Sequence, residues 1–260
     1  MSTVRILSGG AAQGLVSALA PEFEAETGSM IEGEFGAVGA MAAKLRAGAP
    51  ADLLILTSAL IEELTREGLV LADSSGGLGV VHTGVAVRAG DMAPPIATAA
   101  ELATALLAAD KIYFPDPEQA TAGIHFARVL DSLGIADDVA ERLRTFPNGA
   151  TAMRELAADT GARPIGCTQL TEILHTQGVT AVGHLPPGCE LATVHRRRDD
   201  PRRSAGLGAA PHCPPHRRCF RRGALARRLR VSHAQGAPCR SIPRFVKISS
   251  PRSRPASPSR

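Results

Sequence analysis

The sequence predicts an α/β fold, with mixed, mostly parallel sheets and helices packed on their faces. Three observations predict it. Through the first 194 residues, short apolar runs of strand length alternate with stretches of helical period. The junctions leading from strand to helix are built from Gly, Ala and hydroxyl residues, the pattern found where α/β sheets bind ligands. And 260 residues with 44% hydrophobic content are enough for one large domain or two compact ones.

The elements follow in order. Strands are expected at 4–8, 30–35, 52–57, 79–88, 111–114, 163–167 and 179–185, where β-branched and aliphatic residues cluster. Between the first two, Leu15, Leu19 and Phe23 recur at four-residue spacing and Gly28 supplies the stop, with Pro21 expected to kink the helix. Met41, Ala42 and Leu45 mark a second helix ending at Gly48, and Ile61 and Leu64 a third ending at Gly68. Thr98 to Glu101 is a capping-box sequence opening a helix through Leu107. Phe126, Val129, Leu130 and Leu133 follow the i, i+3, i+4, i+7 pattern up to Gly134, and Met153 and Leu156 mark one more helix.

Composition excludes several classes. Aromatic residues are 3% and Trp is absent, so stacking platforms for single-stranded nucleic acid are not expected. No run of 18 apolar residues exists, so no membrane span is expected. Val4-Arg5-Ile6-Leu7 follows the start almost at once and reads as a strand rather than a signal peptide. The sequence as written is therefore expected in the cytoplasm, or in the periplasm if an upstream signal segment is missing. Five Cys at irregular spacing suggest no disulfide framework. Cys213 and Cys219 lie near His212 and His216, but lack the tight spacing of a zinc site, and no metal or cofactor is expected.

Charge divides the chain. Residues 1–194 carry 11 Lys and Arg against 23 Asp and Glu, a net of −12. Residues 195–260 carry 18 against 2, a net of +16, with 17 arginines and 9 of the 19 prolines. Beyond about Arg196 no helical or strand period is sustained. This segment reads as a disordered basic tail, as a nucleic-acid arm, or as the product of a reading-frame shift in a GC-rich gene. The abrupt change at Val194-His195-Arg196 favours the last, and no nucleic-acid partner is expected.

Four strand-end loops carry the candidate ligand site. Ser8-Gly9-Gly10-Ala11 follows the first strand and opens a helix, as Gly36-Ala37-Val38-Gly39-Ala40 does after the second. Asp116-Pro117 and then Thr121-Ala122-Gly123 follow the strand at 111–114, and Thr168-Gln169 follows the strand at 163–167. Each loop alone is a tight turn or an N-cap. Together they would form a cage in which the amides of Gly9, Gly10, Gly39, Ala122 and Gly123, with the hydroxyls of Ser8, Thr121 and Thr168, hold an anion through neutral donors. No catalytic constellation stands out. His125, one turn from Thr121, could reach such a cleft as a base, with Arg88 as a carboxylate clamp. A structural role fits His125 better, as a solvated strand-end position fits Arg88, and Asp116 before Pro117 reads as a turn former.

Residues Val4 to Ala20, the Phe35-Gly36-Ala37-Val38-Gly39-Ala40 loop and, most specifically, Gly48-Ala49-Pro50-Ala51-Asp52-Leu53 resemble the type-2 periplasmic solute-binding proteins of the molybdate-binding kind. Gly84-Val85-Ala86-Val87-Arg88 is similar to the strand where that family's chain enters its second lobe. The resemblance spans residues 4–194. It implies two lobes, the first from 1–79 with 187–194 returning to it and the second from 80–186. It also implies a small anionic ligand such as molybdate or an organic acid, an ABC permease as partner, and a monomer. Molybdate binders place a Ser in each of the first two loops, where this chain has Ala11 and Val38. An aconitate isomerase on a similar scaffold supplies the enzymatic alternative.

Overall fold

In a computed structural model, residues 2–71 and 76–199 are described. Most of the basic segment, with Cys213, Cys219, His212 and His216, lies outside them. The chain forms two lobes, each a sheet covered by helices on both faces.

The first sheet begins with β1 (Ser2–Gly9), which pairs in parallel with β2 (Ser29–Gly36) on one side and β3 (Leu53–Thr57) on the other. Strand alternation assigns the two faces. Ile6, Leu53 and Ile55 point to one side, where Val16 and Phe23 of α1 (Gln13–Thr27) cover them. Leu7, Leu54 and Leu56 point to the other. There they meet Met41, Ala42 and Leu45 of α2 (Val38–Arg46) and Ile61 and Leu64 of α3 (Ser58–Arg66). Helix α1 runs on through Pro21 to Thr27.

The long strand β4 (Gly76–Arg88) passes between the lobes. Its first half, up to His82, pairs with β9 (Ala192–Asp199) in the first sheet; from Thr83 onward it pairs with other partners in the second. Those partners are β7 (Pro164–Gln169) and β8 (Val179–His184), both antiparallel to it. Beyond β7 lie β5 (Lys111–Pro115) and β6 (Leu143–Phe146), giving the order β2-β1-β3-β9-β4-β7-β5-β6 with β8 beside β4. Val85, Val87, Ile112, Phe114, Ile165 and Cys167 face α4 (Ala99–Ala108) and α5 (Thr121–Ser132). Ala86 and Tyr113 face α7 (Gly149–Ala158) and α8 (Leu170–His175), with the four-residue α6 (Ala136–Val139) leading toward β6. The expected capping box at Thr98 and Glu101 is formed in both directions.

All seven expected strands are present. Two were not foreseen. Strand β6 is four residues with little burial and no alternation to read. Strand β9 runs to Asp199, five residues past the expected break at residue 194. The Arg-rich run 196–198 is placed in β9 by its backbone, which pairs with β3 on one side and β4 on the other. Ladder hydrogen bonds do not depend on side-chain type, so a charged run can complete a sheet. No described helix is long and apolar enough to cross a membrane.

Candidate functional site

Five strand-end segments close on one cavity between the lobes. Gly9, Gly10 and Ala11 reach it from the end of β1, and Gly36, Ala37 and Val38 from the end of β2. The second lobe supplies Pro115 and Ala120 to Ala122 after β5, Asn148 and Gly149 after β6, and Gln169 and Glu172 after β7. His195 of β9 completes the lining. The starts of α2, α5 and α7 and the 3-10 turn before α1 thus meet here. The first N–H groups of a helix lack intrahelical acceptors and carry the positive end of its dipole, so the converging ends favour negative charge. No Lys or Arg is among the described residues lining the cavity. The lobes touch at this level, where the Gly39 amide donates to the Gln119 carbonyl at 3.2 Å. The free volume is ≈ 20 Å³, room for about one water with the lobes as they stand.

Of the expected ligand residues, Gly9, Gly10, Ala11, Val38, Thr121, Ala122 and Gln169 line this cavity. Four others do not. Ser8 is fully buried and its hydroxyl donates to the Gly9 carbonyl at 2.9 Å. Gly39 has its amide committed to Gln119 across the lobes. Gly123 packs so tightly on the carbonyls of Pro115 and Asp116 that a Cβ would overlap them, so its smallness serves packing. Thr168 is fully buried, and its hydroxyl donates to Glu172 Oε2 at 2.6 Å. Thr121 is not the N-cap of α5. Ala120 holds that position and Thr121 is the first helical residue.

His125 and Arg88 are not in the cleft. His125 Nε2 bonds the Cys189 carbonyl at 2.8 Å, tying α5 to the segment that returns to the first lobe. Arg88 lies at the far end of β4, since the antiparallel register puts Thr83 beside Gln169 and Val87 beside Ile165. There it bonds Asp91 at 3.0 Å and the Asp159 carbonyl. Asp116 is the expected turn former, accepting from the Glu118 and Gln119 amides at 2.7 and 3.0 Å.

Three lining residues with polar side chains were not foreseen. Asn148 caps α7 by accepting from the Thr151 amide at 2.8 Å, and an Asn-Gly pair before a helical run was a readable signal for it. His195 is 3% exposed, and neither ring nitrogen has a hydrogen-bond partner. Burial lowers its pKa and favours the neutral imidazole, opposed by the nearby Thr193 backbone, which is too poorly aligned to pair with the ring. Glu172 is 7% exposed. Burial pushes its carboxyl up to about 7, against the Thr168 hydroxyl and the Gln169 and Ala150 amides, which favour the charged form. In sequence Glu172 is one acid in the first turn of a helix, the commonest place for a solvated one.

Two lobes joined by β4 and by the segment that returns to β9, with helix starts facing a cavity between them, define a solute-binding fold. Residues 4–196 match the family described as bacterial extracellular solute-binding proteins, and the chain belongs to that family. Its fold is similar to the periplasmic molybdate-binding protein of Azotobacter vinelandii, with a TM-score of 0.66 and 18% identity over 87% of this chain and 92% of that one. It is also similar to the sulfate-binding protein SubI of Mycobacterium tuberculosis, with a TM-score of 0.61 and 16% identity over 88% and 81% of the two chains. In sequence it is 25% identical over 206 residues to an aconitate isomerase from a Pseudomonas species, covering 75% of this chain and 74% of that protein.

Proposed function

We propose that this protein binds a small anion in the cleft and presents it to an ABC-type permease, working outside the cytoplasm as its family's description implies. One observation carries the reading: the starts of helices from both lobes converge on a cavity with no cationic side chain among its described lining residues. Neutral N–H donors at helix ends hold an anion by direction as well as charge, and donors in both lobes make lobe closure part of binding. The structural relatives include a molybdate binder and a sulfate binder, which fits a ligand of this class. Ala11 and Val38 offer only backbone amides in the first lobe, so the ligand need not be molybdate. Calorimetric titration with molybdate, sulfate, phosphate and small di- and tricarboxylates tests the proposal. One of them should bind at one site per chain, and no heat with any of them would refute it.

A second reading has an observation of its own. Glu172 lines the cleft with a carboxyl titrating at about 7, the property of a group that can both take and return a proton. With the sequence likeness to an aconitate isomerase, this favours a 1,3-proton shift on an unsaturated carboxylate. Ultraviolet absorbance of cis- and trans-aconitate incubated with the protein decides it. Conversion lost in Glu172→Gln supports the reading, and no conversion by the wild type ends it.

A further inference from the structure

The cavity holds groups that a bare anion would leave unsatisfied. The Glu172 carboxyl is wedged between the first and second lobes. A Cβ on either Gly10 or Gly149 would overlap it, so both positions must be glycine for the carboxyl to sit there. Its known donors are the Thr168 hydroxyl and the Gln169 and Ala150 amides, all on the second lobe. A carboxylate has about four lone-pair directions, so at least one acceptor site is left over, on a group that lines the cavity. Gln169 Oε1 is buried in the same lining without a partner, and so are both nitrogens of His195. These two side chains are 5% and 3% exposed. Buried polar atoms are rarely left unpaired, and three neighbours around one cavity point to a ligand that pairs them.

An oxyanion without protons offers only lone pairs. It would satisfy the helix amides, but would set lone pair against lone pair at Glu172 and Gln169 and bring a like charge beside a buried carboxylate. A ligand that brings its own O–H removes both conflicts. It keeps its anionic oxygens on the amides of α2, α5 and α7 and donates a hydrogen bond to the acid. The neutral His195 ring, with one donor and one acceptor, can take a further oxygen.

We propose that the cleft selects an anion carrying its own hydrogen-bond donor, a hydroxycarboxylate or a hydrogen-bearing oxyanion, with Glu172 as the acceptor that tells it from an anion without one. This rests on the cleft being the anion site. Glu172 is then a specificity residue: a site built to hydrogen-bond a ligand hydroxyl rejects the analogue that lacks it, because its buried acceptor is left unpaired.

The test uses two matched pairs at pH 8, where the carboxyl is ionised. Phosphate always carries a proton there and sulfate carries none; malate has the hydroxyl that succinate lacks. Binding of all four to the full chain is measured by calorimetry, for wild type and for Glu172→Gln, with the variant's folding checked by its melting curve. The expected result is a preference of at least about tenfold for phosphate or for malate over its partner. The Gln amide can donate as well as accept, so the preference should collapse in the variant. Equal binding within both pairs overturns the inference and leaves the anion cleft standing. A preference that survives in Glu172→Gln assigns it to another residue and also overturns the inference. If none of the four binds, the inference falls, and the anion reading falls with it only if molybdate and the other carboxylates also give no heat. If the variant fails to fold, the wild-type preference is measured at pH 6 as well as pH 8: it should shrink where the carboxyl takes up its proton and can donate, and a preference unchanged between the two overturns the inference.

Discussion

At the scale of single residues, Glu172 dominates the chemistry of the cleft. Its carboxyl titrates at about 7 in the fold and near 4.5 when exposed. Between these values the folded state holds a proton that the unfolded chain has released. Stability contributed this way is present below pH 4.5 and is lost as pH rises toward 7, by up to about 3 kcal/mol. Denaturant unfolding of wild type and Glu172→Gln from pH 4.5 to 8 should therefore show a gap that changes with pH in that window. A constant gap would contradict the account. Asp159 has the opposite sign. Burial alone would raise its pKa, but the Tyr113 hydroxyl at 2.5 Å, the Gly161 amide and Lys111 hold it at about 2. It stabilises the fold above its exposed value, and that contribution is lost as the pH falls toward 2. Gly149→Ala forces a Cβ into the Thr168 and Glu172 side chains. It should lower stability by about 1–3 kcal/mol and abolish ligand binding, read by thermal melting and titration. Unchanged melting and binding would show that the pocket wall is loose. Of the two glycines against Glu172, Gly10 was readable in the sequence as part of a strand-end loop and Gly149 was not. The acid they make room for was not, because burial of one Glu depends on contacts from three distant segments.

At the scale of elements, turn chemistry and periodicity were the readable part. Thr98 and Glu101 formed the capping box that their spacing predicts, and Thr98→Ala should cost about 0.5–2 kcal/mol in denaturant unfolding. Strand β9 was the unreadable part. Its sequence Ala-Thr-Val-His-Arg-Arg-Arg-Asp does not look like an interior strand, yet it fills the gap between β3 and β4. Its place is set by the register of two neighbours, which no local pattern encodes. A strand paired on both sides cannot give up an amide donor. Arg196, which faces Leu56 of β3 on one side and Gly77 of β4 on the other, is such a position, and Arg196→Pro should destabilise the fold by at least about 1–3 kcal/mol, measured by denaturant unfolding. A near-neutral result would mean that β9 does not complete the sheet. The site loops divide the same way. Gly10, Ala11, Val38 and Thr121, read from the strand-end loops, line the cavity. Ser8, Gly39, Gly123 and Thr168 sit in the same loops, but their donors are used inside the protein.

At the scale of the molecule, the two lobes are joined by the long strand β4 and by the segment that returns to β9, and they meet where the Gly39 amide donates to the Gln119 carbonyl and where Glu172 packs against Gly10. A ligand held by both lobes binds the native state alone, so it raises stability by about 2.7 kcal/mol at a hundred times its dissociation constant. In a protein of this size that moves the melting temperature by roughly 5–10 °C. The most direct test of the account follows the backbone amides by heteronuclear NMR during titration with the ligand that calorimetry selects. The amides of Gly10, Ala11 and Val38 in the first lobe and of Thr121, Ala122 and Gly149 in the second should shift together, with a single dissociation constant. Shifts confined to one lobe, or centred away from these residues, would contradict an anion site built between the lobes.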